Sequence, residues 1–461
     1  MAASMSALVA ARRCSGRRIR PAPAPGVSST VMEDIASCRS MAGDWLVRRV
    51  ARGDHSVRLR MGTQRLVYLL GPEANALIFK HDEWFRAREA FAALEIVDGP
   101  TSVVLSDGED HVRRRGLIRP AVAPRRIDGY LSTMAGAADE ALERIRPGEA
   151  FDAYAVLRSA IRRSTLRILF AGSMAHHADD LGDLLQPLLD LSDKLPPVLS
   201  WHRRLRTPAW RRAMAARTAL DAFVGREIAR ARATAPSEQD DRAGAMLPLL
   251  VHGRDGRGSG LDDQEVRDQV VTMIAAGYET TGAAMGWIVY LLGLHPQWQA
   301  RARDEVASVL GERAPDPAGL AQLSLLRAIV SEALRLYPPA MISARYAVEG
   351  FEHRGERVRP GDLVIFSPYA THRDPGVYRE PLRFDPSRWL DEPAPASSEF
   401  IPFGGGKHRC LGSGLATAEL TVFLARLLRH GPFRLNRPPT SARGFSAVRP
   451  HPGVTITIQS T

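Results

Sequence analysis

Along this chain the spacing of apolar residues changes several times, and each change predicts a new element. Val57–Met61 alternates apolar and charged residues, Gly62-Thr63-Gln64 supplies a turn, and Arg65–Leu70 resumes as a strand. That pattern predicts a β-hairpin, followed by a helix opening at Pro72. From about 130 to 235, apolar residues recur at three- and four-residue spacing, the period of amphipathic helices. The stretch Pro236–Gln264 is polar and rich in glycine, most densely at Gly253–Gly260, and reads as a surface loop. A long helix follows, capped by Asp262 or Asp263 and ending near His295-Pro296. Another covers Leu323–Leu336 and stops at Pro338-Pro339. Short strands, Arg345–Val348 and Asp362–Phe366, flank the Pro360-Gly361 turn, and a proline-rich meander leads to a last helix at Gly414–Leu428. The sum is a mainly α chain with a smaller β-rich lobe and no internal repeat.

Composition narrows the function classes. With 461 residues, 45% of them hydrophobic, the chain can bury a large core. The net charge is +11, yet Lys occurs only at 80, 194 and 407, so 59 of the 62 basic residues are Arg. No basic stripe is interleaved with stacking aromatics, which argues against nucleic acid as a partner. No run approaches the roughly 20 apolar residues needed to cross a bilayer, so no transmembrane anchor is expected. Residues 1–32 contain no acid, and Arg12, Arg13, Arg17, Arg18 and Arg20 follow the short apolar stretch Ala7–Ala11. That order is the reverse of a secretory signal. It leaves a presequence, an over-extended start or a disordered basic tail, of which the tail is expected. Three cysteines, Cys14, Cys38 and Cys410, are too few for a disulfide framework and fit a reducing cytoplasm.

The chemistry concentrates in Phe403-Gly-Gly-Gly-Lys-His-Arg-Cys410-Leu-Gly412. A cysteine in a glycine-rich loop, just before a helix, can be presented as a thiolate: backbone N–H groups approach the sulfur and the helix N-terminus favours its charge. A phosphate loop is excluded, because Ile401 stands at its first glycine position and His408 follows Lys407. A buried structural cysteine in a tight turn remains the alternative for this segment alone. Inside the long helix, Ala276-Gly277-Tyr278-Glu279-Thr280 places a glycine where it costs about 1 kcal/mol, beside an acid and an alcohol. A local opening of the helix over a ligand would explain it. Glu332 and Arg335 lie at i, i+3 on one helix face.

Taken in chain order, these segments resemble the cytochrome P450 family over roughly residues 40–460, and residues 40–460 are therefore expected to form a single domain of that fold. The resemblance implies haem b with Cys410 as iron ligand and Phe403 and Gly412 in the surrounding loop. It implies that Ala276 and Gly277 lie over the haem, that Thr280 hydrogen-bonds the dioxygen being activated, and that Glu279 relays protons from solvent. His111, Arg115, Arg345 and His408 match the positions that hold the haem propionates. Glu332, Arg335 and Arg388 match a buried charge network that supports the thiolate loop, and His372-Arg373-Asp374-Pro375 matches the adjoining meander.

The implied activity is that of a monooxygenase, inserting one atom of dioxygen into an apolar small molecule: a terpenoid, steroid, fatty acyl chain or polyketide. Peroxygenase or isomerase branches of the fold generally lack the acid–alcohol pair, and a haem protein that only binds ligand would leave Thr280 without a role. Pocket-facing positions by resemblance are Met273, Ile274, Met341, Ile342 and the region 90–104. No flavin- or iron–sulfur-binding stretch is present, so electrons come from a separate protein. Arg113, Arg114, Arg119, Arg125, Arg126, Lys407 and Arg409 are expected to form a docking face for an acidic ferredoxin or flavodoxin, served by its reductase. The protein is expected to be a monomer. The segment 195–212, with Trp201, Trp210 and several Arg, reads either as a solvated helix pair over the pocket or as a surface that touches a membrane.

Overall fold

The computed structural model describes residues 41, 43–175, 177–194, 196–234, 246–444 and 447–459. The basic tail at 1–32, Cys14 and Cys38 lie outside them. Strands β1 (Ser56–Met61) and β2 (Gln64–Leu69) form the expected hairpin, with Met61 opposite Gln64 and Gly62 at φ +63° in the turn. They follow helix α1 (Asp44–Val50) and lead into α2 (Pro72–Lys80), which has proline in its first turn. After β3 (Phe85–Arg86) come the short α3 (Glu95–Asp98), then α4 (Gly108–Ile118), α5 (Pro124–Leu142), β4 (Ala150–Asp152) and α6 (Ala153–Ala175). The amphipathic stretch continues as α7 (Ala178–Ser192), α8 (Pro196–Arg204) and α9 (Pro208–Ala233).

The expected loop at 236–264 contains a helix, α10 (Met246–His252), while 235–245 fall outside the described residues. The glycine-rich stretch beyond it masked a compact apolar run, Met246-Leu-Pro-Leu-Leu-Val251. Pro248 lies in the first turn, where its missing N–H is tolerated, and Met246, Leu247, Leu250 and Val251 are buried.

Helix α11 (Asp263–Leu294) is the axis of the molecule. It opens with a capping box: Glu265 N–H donates to Asp262 Oδ1 (2.7 Å), and Asp262 N–H donates to Glu265 Oε2 (3.2 Å). It is buried on nearly every side and packs closely against α6. A Cβ at Gly282 would lie 2.9 Å from Arg158 Cγ, and one at Gly286 would lie 2.8 Å from Tyr154 Cδ2, so only glycine permits this approach.

Helices α12 (Pro296–Val309), α13 (Pro317–Gln322) and α14 (Ser324–Leu336) complete this side. Strands β5 (Ser343–Ala347), β6 (Phe351–His353), β7 (Glu356–Val358) and β8 (Leu363–Phe366) follow. The five-stranded sheet runs β1-β2-β8-β5-β3, with β2 and β8 parallel, and forms the smaller lobe. Short helices α15 (Pro368–Thr371) and α16 (Arg388–Asp391) lie in the meander before α17 (Ser413–His430). The chain closes with β9 (Phe433–Arg437), a β10–β11 hairpin (Ser441–Arg443, Arg449–His451) and β12 (Thr455–Ile458), which pairs with both β4 and β9.

Candidate active site

The loop carrying Cys410 is held from both ends. Cys410 N–H donates to Phe403 O (2.9 Å), and Gly404 and Gly406 turn the chain at φ +65° and +66°. A Cβ at Gly406 would lie 2.7 Å from Phe79 O, so α2 backs the loop directly. At its start, Ile401 N–H donates to His372 Nε2 (2.9 Å), and His372 Nδ1 lies 3.1 Å from Arg335 O. Nε2 is therefore the acceptor and Nδ1 carries the proton. Complete burial and the neighbouring Arg335 hold this imidazole neutral, its pKa well below the usual value.

Arg335 is fully buried and donates to the carbonyls of His372 (2.7 Å), Pro381 (2.6 Å) and Arg383 (3.0 Å). Its Nε and Nη2 pair with Glu332 at 2.7 and 2.8 Å. Glu332 also accepts from Trp389 Nε1 and from the Asp385 N–H, both at 2.9 Å. Arg388, the expected third member, comes only to 3.5 Å through an Nε that makes no hydrogen bond, while its Nη2 donates to Arg379 O. Arg388 thus pairs with Glu332 Oε1, while the Trp389 indole donates to Oε2 of the same carboxylate. His372 is the link sequence reasoning missed: it connects the charge network to the Cys410 loop.

Cys410 is exposed yet walled by protein on most sides. Burial pushes the thiol pKa up; the Gly412 N–H and the guanidiniums of Arg115 and Arg409 act against that. Arg115 Nη2 donates to Arg409 O (2.7 Å). His111 stacks on His408 with centroids 4.1 Å apart, and His408 Nε2 lies 3.5 Å from Asp82 Oδ1. Burial, then Arg345, His111 and Arg115, push His408 down to about 3, so it is neutral at physiological pH. Arg345 is buried, its guanidinium donates to Ala344 O (2.8 Å), and no carboxylate of the described residues reaches it at ion-pair distance. Burial pushes its pKa down to about 10, opposed at longer range by Asp82 and Asp107. Four basic side chains thus gather here with little anionic compensation.

Met273, Ala276, Gly277 and Thr280, at i, i+3, i+4 and i+7, line a face of α11 that is only partly covered, with Ala276 exposed and the others half-buried. The expected helix opening is absent. α11 is continuous, and Thr280 Oγ1 donates to Ala276 O (2.8 Å). Gly277 has a packing reason instead, since a Cβ there would come within 3.2 Å of Thr165 Cγ2 on α6. Glu279 is nearly buried against α6: it accepts from Arg158, at 2.8 Å from Nε and closer from Nη2, and Arg449 Nη1 lies at 3.6 Å. The adjacent hydroxyls of Tyr154 and Tyr278 have no hydrogen-bond partner among the described residues. Among the pocket candidates, Ile274 is fully buried in the core and Met341 packs toward Gly43 and Tyr369, so neither joins this face.

The expected docking face is smaller than the sequence implied. Arg113 and Arg114 both bind Glu265, the acid of the α11 capping box, and Arg114 also donates to Ser106 Oγ (2.7 Å). The spacing of cations along α4 could not reveal that partner. Arg119, Arg125, Lys407 and Arg409 remain exposed, with Lys407 3.6 Å from Asp82. Arg158 and Arg449 also escaped sequence reasoning, because nothing local distinguishes them among so many arginines.

A family model described as Cytochrome P450 matches residues 45–457. Cytochrome P450 139 of Mycobacterium tuberculosis is 43% identical over 408 residues, covering 87% of this chain and 94% of that protein. The cyclooctat-9-en-7-ol 5-monooxygenase of Streptomyces melanosporofaciens is 31% identical over 381 residues, 82% of each chain. In three dimensions the chain is similar to a cyanobacterial CYP120A1 solved with retinoic acid bound, at TM-score 0.82 and 24% identity, covering 93% of this chain and 96% of that one.

The chain belongs to the cytochrome P450 family. It is a haem-thiolate monooxygenase that uses haem b and acts on apolar substrates, with electrons supplied by a redox partner as is typical of the family. The residues fit that group. Among the described residues Arg345 is a buried cation with no anion at ion-pair distance, His111, His408 and Arg115 lie beside it, and haem propionates would carry the complementary charge. Ala276, exposed and small, gives the open part of this α11 face the low profile a flat macrocycle needs.

Proposed function

We propose that this chain oxidises a terpenoid, with Cys410 as the iron ligand and an acidic ferredoxin or flavodoxin, with its reductase, as electron source. The substrate class rests on the similarity to the cyclooctat-9-en-7-ol 5-monooxygenase and on the apolar character of Met273 and Ala276. The cofactor assignment rests on one observation above all: the buried Arg345, without a carboxylate partner among the described residues, beside His408, His111 and Arg115 and close to the Cys410 loop. Phe403 and Gly412 shape that loop, and Glu332, Arg335 and Arg388 hold its approach. When bound, the haem supplies dioxygen activation with electron density pushed from the thiolate.

The remaining work belongs to side chains of this chain. Thr280 holds a hydroxyl at the partly covered face of α11, where it can hand a proton to the reacting oxygen once its bond to Ala276 O exchanges. Glu279 relays the replacing proton, and Arg158 and Arg449 fix the position of its carboxylate. Arg119, Arg125, Lys407 and Arg409 present positive charge for the donor. We place the protein in the cytoplasm as a monomer with one domain over 40–460, a reading that agrees with the lack, among the described residues, of any helix long and apolar enough to cross a membrane.

The test is reconstitution with an acidic ferredoxin, its reductase and NAD(P)H against cyclic terpenes, steroids, fatty acids and polyketides. A hydroxylated terpene, with a rate that falls as salt rises, is expected. Turnover confined to another class overturns the substrate reading. Reduction insensitive to salt overturns the docking reading.

A further inference from the structure

Three of the exposed large apolar side chains, Val198, Trp201 and Leu205, come from one short segment: α8 and the residue just beyond it. Spaced i, i+3 and i+7, they form a single stripe, while Leu199 and His202 turn inward. Trp201 is 54% and Leu205 58% exposed, although the Trp201 ring also meets that of His202 edge-on at 5.0 Å between centroids. The stripe is an exposed helix face rather than a groove, so it suits a deformable surface better than a rigid protein pocket.

Charge identifies the surface. Between Asp193 and Asp221 the chain has no acidic residue. Lys194, Arg203, Arg204, Arg206, Arg211 and Arg212 are all exposed, and no carboxylate of the described residues pairs with them. Residues 420–461 are acid-free as well, so what distinguishes this run is the exposed apolar stripe set among its exposed cations. An aromatic and aliphatic stripe flanked by guanidiniums is the composition of a helix that lies in a lipid–water interface. At nine residues, α8 would lie about 13 Å along that plane and cannot cross it.

We propose that α8 docks the protein reversibly on anionic bilayers, with Val198, Trp201 and Leu205 among the acyl chains and the flanking arginines on the headgroups. The contact has a direct path to the site. α8 joins α7 to α9, and Arg217 on α9 donates to Ile96 O (2.8 Å) on α3, within the region 90–104 that resemblance places beside the substrate. Resting on the apolar-substrate reading, docking here would set that region against the phase in which such a substrate is dissolved.

The experiment is flotation of the haem-loaded protein with vesicles of phosphatidylcholine alone or with phosphatidylglycerol, read together with quenching of tryptophan emission by brominated lipid. Binding is expected only with the anionic lipid, weakened by salt. Trp201→Ser and Leu205→Ser should each lower the partition coefficient roughly tenfold. Arg203→Gln and Arg204→Gln should each lower it about fivefold. Bromolipid quenching should vanish in Trp201→Phe, and the reduced-CO spectrum of every variant should match wild type, which separates this outcome from failure of the haem assignment. No partition onto anionic vesicles, or undiminished partition of Trp201→Ser, overturns the proposal. So does sedimentation in which the stripe variants abolish only self-association, since a second copy would then be the occupant.

Discussion

Glu332→Gln tests how the fold holds the Cys410 loop. The substitution keeps the shape of the side chain but removes the one carboxylate, among the described residues, that pairs with Arg335. Both groups are fully buried, so the guanidinium would face an amide N–H or be left uncompensated. Breaking a buried pair from one side costs about 3–5 kcal/mol. Counting bonds gives a similar figure: two charge-assisted hydrogen bonds, at 2.7 and 2.8 Å, contribute roughly 1.5–3 kcal/mol each. At roughly 2 °C per kcal/mol for a large domain, the melting temperature should fall by about 6–10 °C. The assay is thermal melting by circular dichroism at one scan rate, with Glu380→Gln as control. Glu380 pairs with Arg383 at 3.1 Å on the surface, and its loss should cost no more than about 1 kcal/mol. A local signature should accompany the global one. Arg335 holds His372 O and His372 receives Ile401 N–H, so the variant should lose part of its thiolate-type reduced-CO absorbance. If Glu332→Gln melts no earlier than Glu380→Gln and keeps its full spectrum, the network does not support the loop.

Cys410→Ser should abolish the red-shifted reduced-CO band, and a surviving band would remove Cys410 as ligand. Thr280→Ala should retain haem yet divert electrons to peroxide; equal coupling of electrons to product in variant and wild type would refute the proton role given to its hydroxyl. Glu419 is buried on α17 with Ser164 Oγ donating to it at 2.6 Å, and burial raises its pKa to about 8. Because the folded value lies above the unfolded one, its contribution is full below about 4.5 and is lost as pH rises through about 8. Chemical-denaturation midpoints of wild type and Glu419→Gln should therefore differ more and more in favour of the variant between those limits, and parallel curves would refute this.

What the sequence discloses divides by the range of the physics involved. The β1–β2 hairpin, the capped start of α11 and the stop of α14 before Pro338 are written in residues within a few positions of one another, so local rules reach them. α10 escaped because its apolar run spans barely two turns and lies beside a glycine-rich stretch, where period carries little information. At the site, Cys410, Thr280 and Glu332 stand in motifs, whereas the groups that set their environment do not. Glu279 illustrates the difference. Beside Thr280 it reads as an acid open to solvent, yet successive residues on a helix point about 100° apart, and that rotation turns it into α6 and onto Arg158 and Arg449. Arg158 is 121 residues upstream in the chain, and Arg449 comes to the same carboxylate from near the C-terminus. The same distance argument overturned part of the docking face. Arg113 and Arg114 count as free cations until α11 brings Glu265 to them, 152 and 151 residues downstream. A motif names the group that does chemistry; the partners that fix its charge are chosen by packing, and in a chain with 59 arginines the sequence has no local means of saying which ones.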